Sequence, residues 1–176
     1  MGQVRVSSTI AAAPERVWAV LIDPSRFSEW QASTVQVIDA GVMLDQVGAS
    51  YTVISRLRSR TPPSGGHGRP SNPSLWRKRM VPATLRTTNL LRGHWRVTRL
   101  TAGRLLELTG TAPGGAHAVV TQTLESSGDG TQYTIEMSYD LPAGFLGAVA
   151  DRMFVERVLE RDMEESSENL SRLLAS

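Results

Sequence analysis

Residues 142–174, PAGFLGAVADRMFVERVLERDMEESSENLSRLL, hold the longest regular pattern in the sequence. After Gly147 the stretch contains no Gly or Pro, and its apolar residues recur at helical spacing. These residues are Phe145, Leu146, Val149, Met153, Phe154, Leu159, Met163, Leu170, Leu173 and Leu174. Charged residues occupy the intervening positions, so the pattern predicts an amphipathic helix with one apolar stripe. At 1.5 Å per residue the helix would be about 45–50 Å long, and it therefore needs a broad apolar surface beneath it.

The rest of the chain predicts such a surface. Residues 3–10 alternate between apolar and polar, as a strand does. Pro14 then opens a first helix, and Asp23-Pro24 opens a second, short one that carries Phe27 and ends near Trp30. Alternation at period two returns in six further segments, which are 35–37, 48–58, 94–100, 104–111, 116–125 and 131–141. Six consecutive strands joined by short turns favour an antiparallel sheet, and the last helix can bury its stripe only on that sheet.

Composition limits the classes of function that this chain can have. The 176 residues suffice for one domain with a core, and the absence of Cys excludes disulfides, thiolate zinc sites and a cysteine nucleophile. The three histidines, His67, His94 and His117, show no metal-binding spacing, and no GxSxG occurs, so we expect no metal and no cofactor. There is no transmembrane-length apolar run and no signal-peptide core, and we expect a cytoplasmic protein.

Charge is distributed unevenly along the chain. Between Gln46 and Leu106 there is no Asp or Glu, whereas twelve Arg and Lys residues occur. This asymmetry suggests a match with the acidic last helix, an anionic partner, or simply a solvated charged face. Trp76 stands beside three basic residues, but no second stacking motif accompanies it, and we expect no nucleic-acid binding.

Three motifs resemble the START-like, helix-grip superfamily, also called SRPBCC, which includes polyketide cyclase/dehydrase-like proteins. Residues 10–18, IAAAPERVW, look like the family's entry "I.APPE.VW", and Asp23-Pro24 through Trp30 looks like its second helix. Residues 139–154 and 168–170 are similar to its C-terminal helix. The resemblance implies an α+β helix-grip fold, in which a curved antiparallel seven-stranded sheet (β-α-α-β6-α) wraps around a long C-terminal helix. We expect a single domain over residues 1–176, with an insertion at about 59–91 where the family has a short hairpin.

The resemblance also implies an apolar cavity between sheet and helix for a lipid, polyketide or similar ligand. The candidate lining residues are Phe27, Trp30, Trp95, Tyr133, Ile135, Met137, Tyr139, Phe145, Val149 and Met153. Phe27 and Trp30 would stand at the rim of the cavity. Tyr133 and Tyr139 lie on the apolar face, where a buried phenol needs a partner, either a polar group of the ligand or a backbone carbonyl. Glu107 is either a solvated strand carboxylate or an acid–base group in the cavity.

Two functions follow, of which we expect the first and keep the second as the alternative. The first is a binding or carrier protein for a small hydrophobic ligand, and the second is a polyketide cyclase or dehydratase whose catalytic residues are not assigned. A regulatory interaction role is a third possibility, and the protein is expected to be a monomer or homodimer. Within the insertion, residues 60–74 would be a tether and residues 75–91 an ordered basic flap. Its cations, Arg77, Lys78, Arg79 and Arg86, would contact an anionic membrane surface or an acidic carrier protein, or else pack against the last helix.

Overall fold

The computed structural model describes residues 1–39, 41–56, 90–112, 115–140 and 152–175. Its helices and strands follow the predicted order. They are β1 Gly2–Ile10, α1 Pro14–Leu21, a 3-10 helix Pro24–Arg26, α2 Phe27–Trp30, β2 Thr34–Ile38, β3 Ser50–Arg56, β4 Leu90–Thr101, β5 Leu105–Ala112, β6 Ala116–Ser127, β7 Gly130–Asp140 and α3 Arg152–Ala175.

The seven strands form one curled antiparallel sheet in the order β1-β7-β6-β5-β4-β3-β2. The two edge strands are therefore β1 and β2. The helix α3 packs against β1 and α2, so that it lies on the concave side of the sheet. This arrangement confirms the predicted α+β helix-grip fold. None of the described helices is both long and apolar enough to cross a lipid bilayer.

Strand β4 begins earlier than the alternation predicted, at Leu90 rather than at residue 94. The additional residues pair with the end of β3, where Arg56 lies opposite Leu90 and Ser55 opposite Leu91. The pairing with β3 extends β4 over residues whose sequence does not alternate between apolar and polar. Most of the insertion, including Arg77, Lys78, Arg79 and Arg86, lies outside the described residues. Phe145, Val149 and the first part of the predicted last helix do so as well.

The segment between β1 and β2 folds as its sequence dictates. Pro14 occupies the first turn of α1, where backbone N–H groups have no acceptor within the helix, so that proline loses no hydrogen bond there. The Asp23 carboxylate accepts a hydrogen bond from the Ser25 backbone N–H at 3.0 Å and thereby caps the 3-10 helix. The next turn places Phe27 and Trp30 in the core, with 1% and 2% of their surface exposed. They are thus not at a rim, because their rings pack edge to face and Phe27 also packs on the Tyr51 ring.

Helix α3 buries a narrower stripe than the sequence suggested. Met163, Leu170 and Leu174 are buried, and Val155 and Leu159 are partly buried against the same core. Met153, which we expected to face the cavity, is 58% exposed, so this prediction is wrong. Successive residues of an α-helix are about 100° apart, so Met153 lies about 80° round the helix from the buried Met163, at the margin of the buried face.

Polar contacts fix α3 to the link between α2 and β2. The Ser166 hydroxyl accepts from the Ala32 backbone N–H at 2.9 Å and donates to the Asp162 backbone carbonyl at 2.7 Å. The Asn169 amide donates to the Trp30 backbone carbonyl at 3.1 Å, which satisfies an otherwise unpaired group at the end of α2. These contacts set the position of α3 over the sheet.

Candidate functional site

Several chain connections meet at one end of the sheet, which we name the insertion end. There Arg56 pairs with Leu90, and the residues between them form the insertion. Ala112 pairs with Ala116 at the same end, and β7 ends at Asp140 on its way to α3. Arg56, Leu90, Ala112, Ala116 and Asp140 therefore all lie at one end of the sheet.

The register of the strands aligns six residues in one row across the concave face. From β3 to β1 they are Tyr51, Trp95, Gly110, Ala118, Tyr139 and Gly2. In this row two aromatic residues, Tyr51 and Trp95, are followed by two small ones, Gly110 and Ala118, and Tyr139 is followed by Gly2. The adjoining row, nearer the insertion end, also contains small residues, since Ala112 lies opposite Ala116.

The indole of Trp95 lies flat on the sheet. A Cβ atom placed on Gly110 would be 2.5 Å from Cε3 of the indole, and one on Gly93 would be 3.1 Å from its Nε1. Both distances are shorter than ordinary van der Waals contact, so the indole can lie flat on the sheet because positions 93 and 110 are glycines. The ring of Tyr139 on β7 lies over Gly2 of β1 in the same way. A Cβ atom placed on Gly2 would be 2.3 Å from Cζ of the tyrosine.

Packing of the concave face weakens towards the insertion end. At the opposite end Val97, Leu106 and Leu124 are fully buried and form a solid core. At the insertion end burial is mixed: Tyr51, Val53 and Tyr139 are buried there, whereas other inward-facing residues are small or only half-buried. The latter are Gly93, Trp95, Ala112, Ala116 and Ala118. Trp95 is therefore half-buried beside small neighbours, unlike the buried side chains at the opposite end.

Two polar side chains are paired deep in the core. The Tyr133 hydroxyl donates to Oε1 of Gln122 at 2.8 Å, and both residues are buried. Burial raises the pKa of Tyr133 well above its ordinary value, and that of Tyr51 as well, so both phenols keep their protons. The partner of Tyr133 is thus neither a ligand nor a backbone carbonyl. Gln122 escaped the sequence analysis, although its place between Val120 and Leu124 marks it as inward-facing.

The remaining candidates separate into two groups. Ile135 and Tyr139 are buried on the concave face, and Met137 is half-buried there. Glu107 lies on the convex face, where its carboxylate accepts from the Arg99 guanidinium at 3.0 Å and from the Thr98 hydroxyl at 3.0 Å. The alternative that Glu107 acts as an acid–base group in the cavity is therefore wrong, because its neighbours Leu106 and Leu108 face the core instead.

The chemistry of the concave face is apolar with a few hydroxyl and amide groups. On the strands that the structure describes, no Asp, Glu, Lys, Arg or His side chain points to this face. Its polar groups include Ser8, Gln122, Thr131 and the phenols of Tyr51, Tyr133 and Tyr139. Such a surface suits an uncharged or largely apolar molecule, since burying an unpaired charge against it would be costly.

The sequence matches the family model described as polyketide cyclase / dehydrase and lipid transport over residues 1–175. The chain belongs to this family. The family membership confirms the resemblance seen in the motifs at residues 10–18 and 23–30. A search of curated proteins found no match.

Solved structures similar to this chain share the architecture of the family. The Zhui aromatase/cyclase from Streptomyces sp. R1128 superposes with a TM-score of 0.70 at 15% identity, covering 99% of this chain and 93% of that one. Protein CV1439 from Chromobacterium violaceum has a TM-score of 0.67 at 15% identity, covering 100% and 99%. DynU16, from the dynemicin biosynthetic locus, has a TM-score of 0.61 at 16% identity, covering 99% and 47%. At these identities the likeness shows the fold alone.

Proposed function

We propose that this protein binds a small hydrophobic ligand, such as a lipid or polyketide, on the concave face at the insertion end, and acts as its carrier. The observation that carries the proposal is the row in which Trp95 and Tyr139 lie flat on glycines, with Ala118 between them. Beside the flat rings the small residues leave Trp95 and Ala118 only half-buried, which makes apolar surface available for contact with a ligand. Family membership supports the same reading.

The lining indicates what kind of ligand fits. The indole face of Trp95 offers a broad contact for a ring or an unsaturated chain, and the half-buried Met137 adapts to irregular shapes. The described concave face carries no charged side chain, so the ligand's body should be uncharged there. A charged end, if present, would have to point towards the insertion end, where the sheet stops.

The experiment compares two neighbouring positions of β6. Ala118 faces the concave side, whereas Val119 faces the convex side and is 37% exposed. Replacing Ala118 by Phe fills the proposed contact surface, so binding of the dye 1-anilinonaphthalene-8-sulfonate and of dodecanoate should weaken strongly. Val119→Phe adds the same ring on the other face and should leave both titrations unchanged.

Native mass spectrometry of the purified protein provides a second readout. We expect a co-purified apolar molecule on the original protein and its loss from Ala118→Phe, with Val119→Phe retaining it. Equal binding by the two variants, both folded by circular dichroism, would contradict the proposal.

A polyketide cyclase or dehydratase is the second candidate. Its support is the family description together with the buried phenol of Tyr51, which stays protonated and can donate a hydrogen bond. Incubation with a linear poly-β-ketone thioester distinguishes the candidates. A cyclase accelerates ring formation and changes the product pattern, whereas a carrier binds the thioester and leaves its spontaneous products unchanged.

A further inference from the structure

A stripe of cations runs along the convex face of β4. Arg92, His94 and Arg96 alternate with inward-facing residues and are all exposed. Residues of a strand that share a face are about 6.7 Å apart, so the two arginines anchor a stripe about 13 Å long. We name Arg92, His94 and Arg96 the β4 stripe.

The residues next to the β4 stripe do not neutralise it. On β3 its direct partners are Ile54, Thr52 and Ser50, and on β5 the partners of His94 and Arg96 are Thr111 and Thr109. None of them is acidic. Among the residues that the structure describes, the stripe makes one side-chain hydrogen bond, between Nδ1 of His94 and the Thr52 hydroxyl at 3.4 Å.

Other arginines on the same face do have acidic neighbours. Arg99 forms an ion pair with Glu107 at 3.0 Å, and Arg5 lies directly opposite Glu136 in the register of β1 and β7. The sheet thus places carboxylates beside its outer arginines elsewhere, but not beside Arg92 and Arg96. An array of unneutralised cations at fixed spacing is suited to an anionic partner.

We propose that the β4 stripe is a docking site for an acidic α-helix of a partner protein. Carboxylates four residues apart on a helix are separated by about 6 Å along its axis, which matches the spacing of alternate residues in a strand. A helix with Asp or Glu at positions i, i+4 and i+8 would place one carboxylate beside each member of the stripe. Arginine binds carboxylates through two parallel hydrogen bonds, which makes the contact specific as well as attractive. This site is separate from the proposed ligand site, which lies on the opposite face of the sheet.

Three other occupants fit less well. No aromatic side chain lies on the convex face of the described strands, so bases of a single-stranded nucleic acid would find no stacking platform. Membrane-binding basic segments carry about four to eight Lys or Arg residues, which is more than the stripe holds. A second copy could offer Glu160, Glu164 and Glu168, which are exposed at the required spacing on α3. That helix lies on the other side of the sheet, so such contacts would build open-ended chains rather than a closed dimer.

The test uses two helical peptides of identical composition as probes. In the first, three Glu residues stand at i, i+4 and i+8, and in the second the same residues are spread around the helix. Binding is followed by fluorescence anisotropy at low salt. The intact protein should bind the first peptide more tightly, and the double variant Arg92→Ser/Arg96→Ser should weaken that binding about tenfold.

The matched control is Arg5→Ser/Arg104→Ser, which removes two exposed arginines elsewhere and changes the net charge equally. It should alter binding of the first peptide less than about twofold, because only general attraction is lost. Equal losses in the two double variants, or equal binding of the two peptides, would overturn the proposal. So would tighter binding to oligonucleotides or anionic vesicles than to the first peptide, or a self-association that the Arg92→Ser/Arg96→Ser variant abolishes.

Discussion

Replacing Tyr133 by Phe should destabilise the protein although it removes only one oxygen atom. The hydroxyl donates to Oε1 of Gln122 at 2.8 Å, and only 1% of Tyr133 and 4% of Gln122 is exposed. After the substitution the amide oxygen stays buried without this donor, which costs about 1–3 kcal/mol of unfolding free energy. Urea denaturation at pH 7 measures the change.

A double-mutant cycle isolates the contribution of the bond itself. Gln122→Met keeps the length of the side chain and leaves the phenol without its acceptor, so it should cost a similar amount. The double variant Tyr133→Phe/Gln122→Met removes both polar groups and should cost much less than the sum of the single changes. We expect a coupling free energy of about 1–3 kcal/mol.

A second hydroxyl–amide pair on the same sheet is the control. The Thr9 hydroxyl donates to Oε1 of Gln132 at 3.2 Å, but this pair is exposed to water. The cycle of Thr9→Val and Gln132→Met should therefore show a coupling below about 0.5 kcal/mol. If the core pair were no more strongly coupled than the exposed pair, the reasoning from burial would be refuted.

The same phenol predicts a loss of stability in alkali. Burial raises the pKa of Tyr133 and Tyr51, whereas in the unfolded chain a tyrosine titrates near its ordinary pKa of about 10. Below pH 10 both states keep the protons, and above it only the unfolded state loses them. Stability should therefore fall as the pH rises above about 10, by up to about 1.4 kcal/mol per pH unit for each phenol. Tyr133→Phe should make the decline shallower, and an unchanged slope would contradict the assignment.

Four further substitutions, in three experiments, test the packing. Met163→Asp should unfold the protein, because it places a charge in the core, whereas Met153→Asp should be tolerated at its exposed position. Thermal melts compare the two variants, and equal losses of melting temperature would contradict the described burial of α3. Gly110→Ala should lower the free energy of unfolding by about 1–3 kcal/mol in urea melts and shift the tryptophan emission, because its methyl group would lie 2.5 Å from the Trp95 ring. An unaltered emission spectrum would argue against the flat position of the ring. Ser166→Ala should cost about 1 kcal/mol by removing the bond to the Ala32 amide, and a neutral result in the same melts would show that this bond is not needed.

Periodicity predicted most of the fold because each face of an element has a simple pattern. In β7 the alternation marked Tyr133, Ile135 and Tyr139 as inward-facing, and all three are buried. The order of elements then left the last helix only one apolar surface to cover. These inferences rest on local sequence, where propensity and pattern agree with the final structure.

Helix α3 shows where periodicity becomes ambiguous. Near its start, apolar residues such as Met153, Val155 and Leu159 occur at several angles around the axis, so the sequence offers more than one stripe. Contact with β1 and α2 selects the face that is buried. It also buries Ser166 and Ser167, which read as surface residues in the sequence. A small residue at these positions lets α3 approach its neighbours closely. The choice of serine at position 166 is explained by the Ala32 backbone N–H, which donates to the Ser166 hydroxyl.

The row of small residues on the concave face depends on register, which alternation does not encode. Alternation assigns a residue to a face, whereas its row depends on turns and bulges elsewhere in the sheet. The register of β4 against β5 shifts between Val97 and Arg99, so Leu100 is partly buried against the core although its position has the parity of the outward-facing Arg96. The tight pairing of β5, β6 and β7 then brings Gly110, Ala118 and Tyr139 into one row. Small residues that are far apart in the sequence meet there, and the proposed ligand site arises from that alignment rather than from any motif.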